Sequence, residues 1–228
     1  MTGIIAAMEC EAEKLLCNMT DRMPTETFGG VTYFRGRLGK EDIVLATCGV
    51  GKVFAASCAA AMLLKYAPDR IINTGVAGAV GGHVRRLDTV IATALVQHDM
   101  DTSPLGDPVG EISGIRKIFF ETDEALSERL ASCVTAAGGH AVRGVIATGD
   151  QFVASAETKR RLSSLFGACA AEMEGGAIAQ VCYLYKTPFA VLRTMSDGAD
   201  GDASGDFAAF AEQAAQISSL AILSLFTE

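Results

Sequence analysis

Apolar residues fall along this chain in short, nearly continuous runs separated by longer amphipathic stretches, an alternation that predicts strands interleaved with helices. Residues 3–7 read as a buried strand and 9–18 as a helix. Strands at 31–38 and 42–48 are joined by a tight turn at Gly39-Lys40. An Ala-rich helix over 52–66 ends at Pro68-Asp69, and a buried strand over 70–74 follows. Gly75-Val76-Ala77-Gly78 reads as a sharp loop, because two glycines in four residues punctuate the pattern. A strand over 88–97 leads into 99–114, rich in Asp, Pro and Gly, which reads as a long loop of the kind that is usually functional or mobile. The second half predicts a helix over 122–137, strand 140–149, helix 155–165, strand 168–172, helix 174–185 and strand 189–195. A loop over 197–205 and a final helix over 206–226 complete it. The strand runs are apolar throughout rather than strictly alternating, so both sheet faces are expected to be covered by helices, as in an α/β fold. No linker or internal repeat divides the chain, and residues 1–228 read as a single domain.

Composition refines this picture. Half of the 228 residues are hydrophobic and the mean hydropathy is +0.30. A membrane span needs about 20 consecutive apolar residues, and the runs here are interrupted well before that. The apolar excess is therefore expected in a sheet buried on both faces and in a subunit interface. The net charge of −8, without a basic cluster beyond Arg85-Arg86 and Lys159-Arg160-Arg161, argues against nucleic acid and anionic membranes as partners. The N-terminus lacks the basic start of a signal peptide. Seven cysteines, an odd number without CxxC spacing, point to reduced thiols in the cytoplasm. Three scattered histidines give no metal-binding pattern, and no cofactor is expected.

In open α/β sheets ligands collect beyond the C-terminal strand ends. The residues there are Met8-Glu9-Cys10-Glu11, Gly49-Val50-Gly51, Gly75-Val76-Ala77-Gly78, Gly149-Asp150-Gln151-Phe152, Glu172-Met173-Glu174 and Ser196-Asp197. Singly, Glu11 and Glu174 read as first-turn helix acids, Asp197 as a capping or loop residue and Phe152 as a core aromatic. The glycine segments lack the Gly-Lys-Ser/Thr ending of a phosphate loop. Only the order and spacing of the set make it a site.

That order resembles the 5′-methylthioadenosine/S-adenosylhomocysteine nucleosidases of the nucleoside phosphorylase superfamily, over nearly the whole chain. The resemblance is carried by Gly3-Ile4-Ile5-Ala6-Ala7-Met8-Glu9-Cys10-Glu11, Gly49-Val50-Gly51-Lys52-Val53, Ile72-Asn73-Thr74-Gly75-Val76-Ala77-Gly78 and Thr148-Gly149-Asp150-Gln151-Phe152. Its most specific pieces are Glu172-Met173-Glu174-Gly175-Gly176-Ala177 and Arg193-Thr194-Met195-Ser196-Asp197. It implies a twisted mixed β-sheet flanked by helices, a homodimer, and hydrolysis of an N-ribosidic bond to free adenine, in methionine salvage and recycling of S-adenosylmethionine by-products. By position, Asp197 resembles the general acid that protonates adenine N7, helped by Ser196. Glu11 resembles the residue that polarises the water, and Arg193 a group that orders water and acids. Glu174 resembles the holder of the ribose hydroxyls, with Met173 beneath the sugar. Phe152 resembles the ring stacked on adenine, and the Val153 main chain the edge that reads it. Met8, Val50 and Phe207 resemble the wall of the 5′-alkylthio pocket.

The chemistry suits these residue types. Adenine leaves readily only when protonated, so a carboxyl with a raised pKa is needed. The transition state is oxocarbenium-like, and an anionic Glu174 would stabilise it while Glu11 deprotonates the water. Related phosphorylases hold phosphate with arginines and a serine. Here the first segment is acidic, Asn73 stands in place of an arginine and Val76 in place of a serine, which favours water. Val76 also departs from the nucleosidase pattern, where a serine usually bonds the water. Leu105 and Asp107 depart from it too, standing where aromatic rings are common. These departures leave open an aminofutalosine hydrolase, or a nucleoside-binding protein with little turnover.

Overall fold

The computed structural model describes residues 1–198 and 203–227. Its strands are β1 (Thr2–Ala6), β2 (Glu26–Phe28), β3 (Val31–Leu38), β4 (Glu41–Thr47), β5 (Arg70–Ala79), β6 (Thr89–Gln97), β7 (Phe119–Glu121), β8 (Ala141–Thr148), β9 (Ala168–Glu172) and β10 (Phe189–Asp197). Its helices are α1 (Glu9–Asn18), α2 (Lys52–Tyr66), α3 (Glu124–Ala136), α4 (Ala156–Phe166), α5 (Gly175–Tyr185) and α6 (Ala203–Thr227). All the strands join one mixed sheet in the order β10-β6-β8-β9-β5-β1-β4-β3-β2, with β7 added on β6. Because β10 pairs β5 as well as β6, the strands β5, β10, β6, β8 and β9 close into a ring. Strands β1, β4, β3 and β2 extend from it as a wing.

The sheet sits between two apolar layers, and successive residues of one strand supply opposite layers, as the two-residue period requires. Ile4, Leu45, Ile72, Ile91 and Leu192 pack with residues of α1, α3 and α6. Their neighbours Ile5, Val44, Ile71, Val90 and Val191 pack with residues of α2 and α5. This is why the strand runs in the sequence are apolar without alternation.

Three features differ from the sequence reading. Gly75-Val76-Ala77-Gly78 is not a loop; β5 continues to Ala79, with Val76 paired to Thr194 and Gly78 to both Asp197 and Ala171. The three-residue strands β2 and β7 had no signal in the pattern, and their pairing on β3 and β6 defines them. Asp197 is the last residue of β10 rather than the first of a loop; the rest of that predicted loop includes 199–202, outside the described residues. Helix α6 is also long and apolar enough to cross a membrane by length and composition. Packing takes up part of that character: Ala214, Ala215, Ala221, Ile222 and Leu225 are buried against the fold. The buried Ser218 and Ser219 donate to the carbonyls of Gly75 and Glu11.

Candidate active site

The ends of β1, β5, β9 and β10 converge with the starts of α1, α2, α5 and α6 around a cavity of about 170 Å³. All twelve site residues expected from sequence line it: Met8, Glu11, Val50, Val76, Phe152, Val153, Met173, Glu174, Arg193, Ser196, Asp197 and Phe207. The ring closure is what brings Glu11 and Asp197, far apart in sequence, to one cavity, since β5 touches β1 on one side and β10 on the other.

Glu11 is buried, and its carboxylate is fixed by backbone donors. The N–H groups of Ala7 and Met8 reach Oε2 at 2.9 Å each, and the N–H of Val76 reaches Oε1 at 2.9 Å. It is thus both the first-turn acid of α1 and an anion presented to the cavity. Gly75 is required beside it. A Cβ there would lie 2.5 Å from Glu11 Oε1 and 2.5 Å from an Arg193 nitrogen.

Glu172 and Glu174 divide two tasks. Glu172 Oε2 accepts the N–H groups of Glu174 and Gly175 at 3.0 and 2.7 Å, capping the start of α5, and the Thr148 hydroxyl donates to its other oxygen. Glu174 is released from capping. Its Oε1 accepts the Gly51 N–H at 2.8 Å and its Oε2 accepts from Arg193 at 3.3 Å. Burial pushes the Glu174 carboxyl up to about 7, against the pull of Arg193 and with a push from Glu172. Arg193 is fully buried, paired with Glu172 and Glu174 and donating to Asn73 Oδ1 at 2.8 Å.

At the other end Asp197 is 2% exposed. Burial holds its carboxyl above the ordinary aspartate range, with Asp206 pushing the same way and Lys159 and Ser196 opposing. The Ser196 hydroxyl lies 3.1 Å from Asp197 Oδ1 and 3.3 Å from the Ala77 carbonyl. Phe152, half exposed, meets Phe207 edge to face at 5.7 Å between centroids. Val76 packs with Ala214, Ala215, Met8, Leu87 and Phe207 in an apolar cluster at the cavity wall. Leu105 and Asp107 do not line the cavity of this chain. Leu105 is exposed, and the Asp107 carboxylate accepts from Thr102 and Ser113 within its own loop.

Glu172 and Lys159 carry no role in the sequence reading, and Asn73 enters it only as a missing arginine rather than as the partner of Arg193. Lys159 alone left a usable signal: it shares one helical face with the buried Leu162 and Phe166, three and seven residues on.

A ring-closed α/β sheet that gathers one aromatic pair, one buried arginine and four acids around a cavity at its strand ends has the make-up of a small-molecule site. The family model described as the phosphorylase superfamily matches residues 2–227. A 5′-methylthioadenosine/S-adenosylhomocysteine nucleosidase from Shewanella loihica is 37% identical over 225 residues, covering 98% of this chain and 97% of its own. A mutant nucleosidase of that kind from Helicobacter pylori, with 5′-methylthioadenosine in its active site, superposes with a TM-score of 0.93 at 34% identity, covering 98% and 96% of the two chains. The futalosine hydrolase of Helicobacter pylori does so with a TM-score of 0.93 at 35% identity and the same coverage. The chain belongs to the phosphorylase superfamily and, within it, to the 5′-methylthioadenosine/S-adenosylhomocysteine nucleosidase family.

Proposed function

We propose that this chain hydrolyses the N-ribosidic bond of 5′-methylthioadenosine and S-adenosylhomocysteine, releasing adenine. The observation that carries the reading is the charge of the cavity. Its wall bears Glu11, Glu172, Glu174 and Asp197, and the cations beside them are already engaged, Arg193 by Glu172 and Glu174 and Lys159, behind the wall, by Asp197. A phosphate dianion would be repelled there, whereas a neutral nucleoside and water would not. Asp197, with its raised proton affinity, gives its proton to N7 as the C1′–N9 bond breaks and the electron pair moves into the purine. Glu174 faces the cationic sugar and its hydroxyls, and Glu11 takes the proton of the attacking water. Val76 contributes bulk and its N–H, leaving the water to Glu11 and Arg193.

The apolar cluster of Met8, Val76, Phe207, Ala214 and Ala215 favours a thioether at the 5′ end. A futalosine-type nucleoside is the second reading, favoured by the likeness to the Helicobacter pylori hydrolase. Chromatography of products from a panel of 5′-substituted adenosines and aminofutalosine, with and without phosphate, is expected to show adenine from both thio-nucleosides at a phosphate-independent rate. A strict phosphate requirement would overturn hydrolysis, and a higher kcat/KM for aminofutalosine would reassign the substrate.

The working unit in this reading is a homodimer in the cytoplasm, with residues 1–228 as one domain. Exposed Val53, Phe54 and Leu64 on α2, and Leu105, support a covered face. Seven cysteines, five of them buried, support a reducing compartment. Light scattering is expected to give twice the 23.8 kDa chain mass; a monomer mass across micromolar concentrations would refute the dimer.

A further inference from the structure

Helix α4 carries the run Lys159-Arg160-Arg161, of which Arg160 and Arg161 are exposed as a basic surface should be. Lys159 is buried. It points under the sheet end, donating to Asp197 Oδ2 at 3.0 Å and to the Gly198 carbonyl at 2.6 Å. Both side chains of this ion pair are 3% exposed. Taking an ammonium and a carboxylate out of water is costly even when they are paired, so its position beside the proposed acid calls for an explanation beyond packing.

We propose that Lys159 is a positioning residue for the cleavage reaction, fixing the Asp197 carboxyl toward the purine and stabilising the carboxylate left behind by proton transfer. The inference rests on the role given to Asp197 above. With Oδ2 held by Lys159 and Oδ1 beside Ser196, and with Gly78 so close that a Cβ would lie 3.0 Å from each oxygen, the carboxyl is restrained on three sides. Such restraint is what an acid needs to meet one ring nitrogen. In the transfer the Asp197 O–H bond breaks, the N7–H bond forms and the C1′–N9 pair enters the ring. The new carboxylate then lies against the Lys159 ammonium. Lys159 thereby offsets burial, which would otherwise raise the proton affinity of Asp197 too far for efficient donation.

The charged and titratable groups around Asp197 are Lys159 from α4 and Asp206 from α6, with Glu172 on β9, Glu174 before α5, Glu11 on α1 and Arg193 on β10 across the cavity. Among these Lys159 is the cation in direct contact with it. The activity that needs protonated Asp197 falls as pH rises through its folded pKa, and removing Lys159 moves that limb upward.

The test compares wild type, Lys159→Met and Lys159→Arg. Lys159→Met is expected to lower kcat by about 10- to 100-fold with little change in KM. Its alkaline limb in kcat/KM should move up by about 1–3 pH units. Lys159→Arg should restore both. In the free proteins, 13C NMR of the Asp197 carboxyl should show the same upward titration shift in Lys159→Met and its reversal in Lys159→Arg. That readout needs no turnover, so a wild type that released no adenine would refute the proposed function while the titration still judged Lys159. An Asp197 titration that is unmoved in folded Lys159→Met, or a lowered kcat with an unmoved limb, would overturn the proposal. So would a fall in thermal stability in Lys159→Met that Lys159→Arg repairs without restoring kcat.

Discussion

Replacing Asp197 with asparagine is expected to lower kcat by about 10²–10⁴-fold while KM stays near its wild-type value. Asparagine keeps the size of the side chain, an oxygen to accept from Lys159 and an N–H that can donate to the Ser196 hydroxyl oxygen, so the cavity wall should persist. It has no acidic proton to give. The loss therefore falls on the step in which adenine departs, and a substrate whose base leaves without protonation should lose much less. The pH profile supplies the sign. The Asp197 carboxyl is held above its ordinary range by burial. Wild-type activity is present while that group is protonated and is lost as pH rises through its folded pKa. In Asp197→Asn the residual rate should not show that alkaline limb. Turnover of the variant at the wild-type rate, measured by adenine release, would take the general-acid role away from Asp197.

Asp197 also shows how much of this molecule can be read from its sequence. Its neighbourhood in Arg193-Thr194-Met195-Ser196-Asp197 marked it, and it lies on the cavity wall with the other eleven expected residues. Strand β9 was legible to the residue, because 168–172 is a short apolar run cut off by Gly167 and the Glu-Met-Glu segment. Gly75 to Gly78 was misread for a physical reason. Glycine usually punctuates, but these two glycines lie in paired strand because Glu11 and Arg193 press on one and Asp197 on the other. Their meaning depends on neighbours far away in sequence, and local pattern carries none of that. Strands β2 and β7 are three residues each and owe their extended form to the edges they join. Lys159 was hidden in a run that looks like a solvated basic surface. Its helical face, shared with Leu162 and Phe166, turns it inward, but its meeting with Asp197 depends on the ring of strands, which places α4 on β8 and β9 beside the end of β10.

The same burial makes Arg193 the position where a single change should cost the fold most. Arg193→Met is expected to destabilise the protein by about 3–5 kcal/mol at pH 8, the range for a buried ion pair that loses one partner. For a domain of this length that corresponds to a fall in Tm of about 6–20 °C. Methionine fills much of the volume, so the cost is electrostatic: Glu172 and Glu174 would keep their burial and lose their shared cation. The sign of the pH dependence follows from Glu174, whose folded pKa is already raised from 4.5 to about 7. Between those values the folded state binds more protons than the unfolded one, so its contribution to stability declines as pH rises. Removing the arginine raises that folded pKa further and carries the decline past pH 7. The deficit of Arg193→Met relative to wild type should therefore shrink at pH 5, where Glu174 can fold protonated, and widen at pH 8. Chemical denaturation at the two pH values measures it. A deficit equal at both would show that Arg193 stabilises through packing and its bond to Asn73 rather than through the acids, and wild-type stability at pH 8 would remove the ion-pair network from the account of the fold.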